Sequence, residues 1–359
     1  MKKDEVKKRS KTVKIVVLVL LIVLLGVVIV IGKNDILSFF EIQDTAKSGV
    51  KDSSKTETKA VNTEKNVSSA SDASEKWQEG TVYYKGKNYK YNNNIKTFLF
   101  MGIDQDGKVK KAADGIGGGQ SDAMFLLVED MENKKLSIIA INRNAMTTID
   151  VYDRSGKALG QATMQICLQH GYGDGMKLSC QRSVAAVERM FYNIPISGYL
   201  AMNMDGIRNL NDAVGGVEVT VSKDLVSGGL SLKKGEKIKL NGDEAYTYLR
   251  TRDINTFNSA SDRLERQKQY LSVFVPQMKS KVNNNTSAAT DIYNSISDYL
   301  VSSIDFSGLL SEAGGYKFDN DSIYTVPGKT VMGDKFEEFN IDQDGLYDLI
   351  IKVFYEEVK

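Results

Sequence analysis

The sequence predicts an α/β fold of mixed α+β type: a central mixed β-sheet flanked by helices, behind one N-terminal transmembrane helix. Three observations predict it. Short apolar runs suited to buried strands interleave with segments whose apolar residues recur at helical spacing. The 359 residues are 42% hydrophobic and 26% charged, with 2 Cys and 1 His, which suits a packed core and excludes a disulfide-dense miniprotein or a polytopic membrane protein. A run without charge, Ile15 to Ile31, directly follows a basic tail.

That tail, residues 1–14, holds seven basic and two acidic residues. The next 17 residues are all Ile, Val or Leu except Gly26. With Gly32 and the stem of Lys14 they reach the short end of the roughly 17–25 residues that span a bilayer. The Lys/Arg excess puts the N-terminus in the cytoplasm and everything beyond residue 32 outside. A cleaved signal peptide is the alternative, but its apolar core would be only about 7–15 residues and end at a small-residue site. The formal net charge of +1 divides into +5 for the tail and −4 for the rest. Residues 33–76 lack the apolar content to fold from Glu41 on and read as an extracellular linker.

Residues 77–96 lead in through a hairpin, with Val82 to Tyr91 alternating aromatic and polar around Lys85-Gly86. Strands are expected at 97–103, 123–128 and 136–141, with 146–152 extending the same sheet. A helix follows at 179–192, a strand at 199–203, a helix at 205–214 and a strand at 217–221. Helices are expected at 262–278, 291–300 and 346–357. The main domain is 97–282, with an extension of helices and strands, 283–359, packing on it.

Four groups of residues suit phosphate chemistry. Asp104 and Asp122 stand at the ends of two core strands, where carboxylates can converge on one hard cation. Alone they also read as loop and cap aspartates. Arg143, at the end of the third strand, could clamp a phosphate or be a solvated turn residue. Arg250 and Arg252 lie two apart. Asp262, Arg263, Arg266 and Gln267 open a helix, where arginine is unfavourable unless an anion is near. The competing reading is a surface salt-bridge network with Asp253, Asp262 and Glu265.

Other features fit packing. His170 is the only imidazole and invites a general-base role, but a loop or structural histidine is the simpler reading. Gly117-Gly118-Gly119 lacks the Lys-Ser/Thr end of a phosphate loop. Cys167 and Cys180 are either one disulfide or two free buried thiols, and two cysteines with one histidine make no zinc cluster.

The order of motifs resembles the LytR-CpsA-Psr (LCP) proteins of Gram-positive envelopes. Phe98 to Asp104 is similar to that family's opening strand ending in Gly-x-Asp. Ser121-Asp122-Ala123-Met124 resembles its Ser-Asp-Thr-Met, and Ser137 to Asn144 its Ser-Ile-Pro-Arg-Asp segment. Asn211 to Val219 is similar to Asp-Ala-Leu-Gly-Gly-Val. Leu240 to Arg252 resembles Leu-Asn-Gly-x-x-Ala-Leu-x-Tyr-x-Arg-x-Arg, and Asp262 to Gln267 the closing Asp/Arg/Gln region. Two departures stand out: Gln120 where the family usually has Arg, and Asn144 where it has Asp.

The resemblance implies that 97–282 is the catalytic domain of a single-pass membrane phosphotransferase. It would move a teichoic acid, capsule or related glycopolymer from a polyprenyl-pyrophosphate carrier to peptidoglycan. It implies Mg²⁺ (or Mn²⁺) on Asp104 and Asp122, with Arg143, Arg250, Arg252, Asp262, Arg263 and Arg266 as catalytic residues. Gln267, Gln120 and Asn144 would contact substrate. An apolar pocket would take the isoprenoid, with Leu99, Met101, Phe125 and Leu127 as candidate lining, many of them equally ordinary core. The partners are the lipid-linked polymer, peptidoglycan and the cytoplasmic membrane, to which the anchor holds the enzyme near its donor. Nucleic acid is not expected, because a tail of 14 residues cannot fold a helix-turn-helix. The alternatives are a non-catalytic envelope protein binding polyprenyl phosphate or polymer, a membrane-associated regulator or transcriptional attenuator, and a lipid-pyrophosphate hydrolase.

Overall fold

Lys85 and Gly86 both take positive φ, 47° and 82°, the backbone a two-residue hairpin turn requires. They join Thr81–Tyr84 (β1) to Lys87–Tyr91 (β2) as expected. This computed structural model describes residues 81–253, 255–285, 287–304 and 316–358. The tail, the apolar span and the linker expected over 1–76 lie outside the described residues, as do residues 77–80. Among the described residues no helix is long and apolar enough to cross a membrane.

Ile95–Ile103 (β3), Ser121–Asp130 (β4) and Lys135–Ile141 (β5) form an antiparallel meander. Met146–Tyr152 (β6) does not extend that sheet. It pairs with Ala158–Gln165 (β7) as a separate two-stranded ribbon. The chain turns out of the sheet at Asn142, where Ala145 N donates to Asn142 O at 2.9 Å, and a later strand takes the free edge of β5. Leu168–Gly171 (α1), Lys177–Met190 (α2), Gly198–Asn203 (β8) and Gly206–Val214 (α3) follow. Next come Val217–Thr220 (β9), Leu225–Ser227 (β10), Leu230–Leu232 (β11) and Lys237–Leu240 (β12).

Gly242–Arg250 (α4) starts with a capping box, Asn241 accepting from Glu244 N while the Glu244 carboxylate accepts from Asn241 N. Ser259–Asn284 (α5) and Ala288–Ile296 (α6) come after it. Leu300–Ser302 (β13), Ile323–Thr325 (β14), Gly328–Met332 (β15), Glu337–Ile341 (β16), Gln343–Phe354 (α7) and Tyr355–Glu357 (β17) complete the order. The helix expected over 291–300 therefore begins earlier and stops at Ile296. The one expected to reach residue 357 ends at Phe354, where the chain turns extended and pairs with β2.

The central sheet has six strands in the order β13-β8-β3-β4-β5-β14, with β3–β8 and β5–β14 parallel and the other pairs antiparallel. It is the expected mixed sheet flanked by helices. Residues beyond 283 supply both of its edges, β13 and β14.

Strand periodicity splits the apolar residues between two layers. Phe98, Phe125, Leu127 and Ile138 face α5, packing with Leu264, Tyr270 and Phe274. Leu99, Met101, Met124 and Leu126 face the other way, with Val187 of α2 and Leu346, Ile350 and Phe354 of α7. Leu99 and Met101 thus cannot share a pocket with Phe125 and Leu127. Both are fully buried in the opposite layer.

Candidate active site

In the meander, the end of β3, the start of β4 and the end of β5 lie at one end of the sheet. Asp104, Asp122 and Arg143 sit there by register alone. Asp104 is stapled to the neighbouring chain: its N donates to Gln120 O at 3.0 Å and its Oδ1 accepts from Gln120 N at 2.6 Å. Partial burial raises its pKa, with the Asp122 charge adding to the rise, while the Gln120 N–H and then Arg143 and Arg250 oppose it. Asp122 is bracketed by two guanidinium groups. Arg143 Nε lies 2.8 Å from its Oδ1 and Arg263 Nη1 2.8 Å from its Oδ2.

The other wall comes from the end of α4 and the start of α5. Arg250, Arg252 and Arg263 line a polar cleft of about 530 Å³ with Asp104, Asp122 and Arg143. Arg263 is 4% exposed, and this burial lowers its pKa against the pull of Asp122. Its Nη2 also donates to Asp122 O at 3.2 Å. Arg250 donates to the hydroxyl of Tyr246, which donates in turn to Asp106 Oδ1 at 3.0 Å. Arg252 has no ion pair among the described residues. With Asp122 paired, the cleft keeps an excess of guanidinium charge.

The structure does not bring every expected residue into this lining. Arg266 is buried beneath it, donating from Nε to Tyr248 O at 3.0 Å and also to Thr251 O. It satisfies carbonyls left open at the end of α4, and burial lowers its pKa. Asp262 pairs instead with Lys223 at 2.6 Å. One helical step of about 100° separates it from Arg263. Gln267 donates to Leu249 O at 3.3 Å and lines a different pocket. Asn144 is 2% exposed beneath the β5 turn, its N donating to Asn142 Oδ1 at 2.9 Å and its O accepting from Phe339 N at 2.9 Å. Sequence reading missed Ser227, Gly228, Tyr246, Thr247 and Thr251, which also line the cleft. The spacing of Tyr246 four residues before Arg250 was the available signal for that pair.

A second, apolar slot of about 80 Å³ lies between the α5-facing side of the sheet and helices α3 and α5. Phe100, Phe125, Leu210, Leu271 and Phe274 are among its walls. Where the slot comes nearest the cleft aspartates in sequence, its sheet wall is a pair of small residues. Gly102 faces Ala123, and a Cβ on Gly102 would meet Ala123 Cβ at 3.2 Å. Each is next but one or next to a cleft aspartate in sequence. Of the four residues first assigned to such a pocket, only Phe125 lines it.

Residues 47–350 match the LytR_cpsA_psr family. The chain belongs to the LytR-CpsA-Psr family. It is 31% identical over 156 residues, 44% of either chain, to the polyisoprenyl-teichoic acid–peptidoglycan teichoic acid transferase TagU of Bacillus cereus (strain AH820). With the Enterococcus faecalis (strain ATCC 700802 / V583) protein of the same name, identity is 28% over 229 residues, 63% of this chain and 67% of that one. The first match spans less than half the length of its relative. The fold is similar to B. subtilis TagV, with a TM-score of 0.56 at 24% identity, covering 73% of this chain and 96% of that one.

Gln120 and Asn144, where the resemblance leads one to expect Arg and Asp, each have a structural setting of their own. Gln120 Oε1 accepts from Arg143 Nη2. A neutral acceptor there holds Arg143 without adding a like charge beside it. Asn144 puts no carboxylate into a site buried from water. His170 is fully buried, its Nδ1 3.1 Å from Gly119 O, and desolvation lowers its pKa to about 4. It is a structural histidine pinning the glycine loop. A Cβ on Gly118 would come within 2.4 Å of His170 O, so that glycine serves close packing. Cys167 and Cys180 are free buried thiols, not a disulfide. Burial raises the pKa of Cys167 to about 11 and that of Cys180 further.

Proposed function

We propose that this protein is a single-pass membrane phosphotransferase with a cytoplasmic N-terminus. Its extracellular domain would move an anionic wall glycopolymer from a polyprenyl-pyrophosphate carrier to peptidoglycan. The observation that carries this reading is the adjacency of two unlike cavities. A cleft with four arginines and two aspartates opens beside an apolar slot, divided by Gly102 and Ala123. A pyrophosphate with a hydrocarbon chain needs that pair of surroundings. The curated relatives named for the same transfer support it.

In the reaction the acceptor hydroxyl oxygen bonds to the polymer-side phosphorus. The bond from that phosphorus to the bridging oxygen breaks, and polyprenyl phosphate leaves with the bridging oxygen. The hydroxyl proton passes to solvent. Such a transfer asks for positioning and charge neutralisation, not a covalent nucleophile. Arg250 and Arg252 are the groups free to grip the phosphates, and Arg143 and Arg263 are oriented by Asp122. Tyr246 aims Arg250.

The donor set fits a hard cation that fills most of its shell with phosphate oxygens and water. Asp104 supplies an under-compensated carboxylate with no ion pair among the described residues, and Asp122 stands beside it. No group of three or more His, Cys, Asp or Glu is assembled among the described residues, so phosphate would be part of the site. Bound Mg²⁺ would neutralise charge on the pyrophosphate.

The test uses the full chain in detergent with a lipid-pyrophosphate glycan, a peptidoglycan oligomer and Mg²⁺. Release of polyprenyl phosphate together with polymer attached to peptidoglycan is expected, with loss of both in Asp104→Ala. Binding of the lipid without transfer would favour a non-catalytic carrier-binding protein. The pairing of both Asp122 oxygens with arginine is the observation that favours that second reading. Release without attachment would mark a hydrolase.

A further inference from the structure

A second polar pocket, of about 240 Å³, backs onto the strand end that carries Asp104. Asp104 lines the cleft and the next residue, Gln105, lines this pocket. Consecutive residues of the chain therefore line the two sites.

Several of its polar side-chain groups have no partner among the described residues. Lys110 and Lys111 are exposed and have no ion pair among the described residues, whereas Lys108 is paired with Asp298 at 2.6 Å. The Gln105 carboxamide makes no hydrogen bond among the described residues. Asn203 is 8% exposed and donates from Nδ2 to Gly107 O at 3.0 Å, and its Oδ1 has no donor among the described residues. The floor is small residues, Ala112, Gly117 and Gly175 among them, so the space is not filled by side chains.

The walls are fixed in place. Val109 N donates to Asp298 O at 2.9 Å and Ala112 N to Asp174 O at 2.8 Å, so the lysine-bearing strap is tied on both sides. Gly118 seats against His170 O and Ser179 Oγ with no room for a Cβ. A site whose backbone is already ordered spends little binding energy on ordering itself.

Two lysines and two carboxamide residues lining one pocket suit a ligand with both hydroxyls and negative charge. Carboxamides pair with hydroxyls in either direction, and ammonium groups take phosphate or carboxylate. The contrast with the cleft is informative. Guanidinium forks fix one planar geometry, as a single pyrophosphate requires. Lysines are point charges on flexible stems and tolerate an anion at varying positions. We propose that this pocket is a subsite for an anionic saccharide, held by Lys110 and Lys111 at its charge and by Gln105 and Asn203 at its hydroxyls. The inference rests on the transferase reading for which saccharide that is: the polymer being moved or the wall strand receiving it.

The experiment measures binding to the full chain in detergent, wild type and Lys110→Gln/Lys111→Gln. The probes are a poly(glycerol phosphate) oligomer, an uncrosslinked peptidoglycan oligomer and geranyl pyrophosphate. One oligomer is expected to lose at least about fivefold in affinity in the variant at low salt, with the difference shrinking as salt rises. The oligomer affected identifies the donor or the acceptor side. Geranyl pyrophosphate is expected to bind both proteins alike. Equal oligomer binding by variant and wild type, or none by wild type, overturns the subsite. Failure of geranyl pyrophosphate to bind wild type strikes the transferase reading instead, since the lysines play no part in it.

Discussion

Arg263 and Asp122 lie 141 positions apart in sequence and meet at 2.8 Å, the guanidinium buried and the carboxylate 15% exposed in its side chain. The contact ties the start of α5 to the start of β4 and so holds the cleft walls together. It is also the least solvated charge pair of the site, which gives it consequences for both stability and binding.

Removing one partner leaves the other buried and uncompensated. Asp122→Asn is expected to cost about 3 kcal/mol of stability in urea unfolding, and Asp122→Asn/Arg263→Met to recover only part of it, because Arg143 also loses its carboxylate. Near-additive losses in the double variant would contradict this.

Arg250 and Arg266 are expected to part company although they lie in one arginine-rich stretch. Arg266→Ala leaves the carbonyls of Tyr248 and Thr251 without their donor and should destabilise the fold by about 1–3 kcal/mol. Arg250→Ala, exposed, should leave the melting temperature nearly unchanged while weakening geranyl pyrophosphate binding about tenfold or more. Equal melting temperatures for the two variants would refute the bracing role of Arg266.

Ala123→Leu pushes three more carbons into the gap opposite Gly102. Affinity for geranyl pyrophosphate is expected to fall while affinity for inorganic pyrophosphate is kept, since only the first needs the apolar slot. A parallel loss of both would mean that the slot does not take the chain.

His170 predicts a pH dependence. Burial lowers its pKa from 6.5 to about 4. The unfolded chain therefore takes up this proton first as pH falls. Stability is unaffected above about 6.5 and declines between there and about 4, by a total of about 3 kcal/mol. His170→Gln should flatten the melting temperature against pH in that window. An unchanged slope would count against a buried neutral imidazole.

The strands that build the cleft were legible because each is a short apolar run with a charged residue at its end. Asp104, Asp122 and Arg143 could be placed from that pattern. What the sequence did not carry was direction around a helix. Asp262, Arg263 and Arg266 read as one basic cluster, yet one points to Lys223, one to Asp122 and one into the backbone of α4. Leu99 and Met101 fell outside the apolar pocket for a related reason: Leu99 and Phe125 are both strand residues, and only register tells which layer each joins. The ribbon of β6 and β7 was missed because a distant strand, β14, had already claimed the edge of β5.

β17 lies beside β2, with Tyr355 opposite Tyr91 and Glu357 opposite Tyr89. A chain delivered N-terminus first cannot close this sheet until residues 355–357, more than 260 positions beyond β2, have arrived. The β1–β2 hairpin must wait unpaired on that edge throughout delivery, and an exposed edge invites pairing with other chains. The same arrangement makes β17 a fastener: deleting Tyr355 to Glu357 would expose the edge of β2.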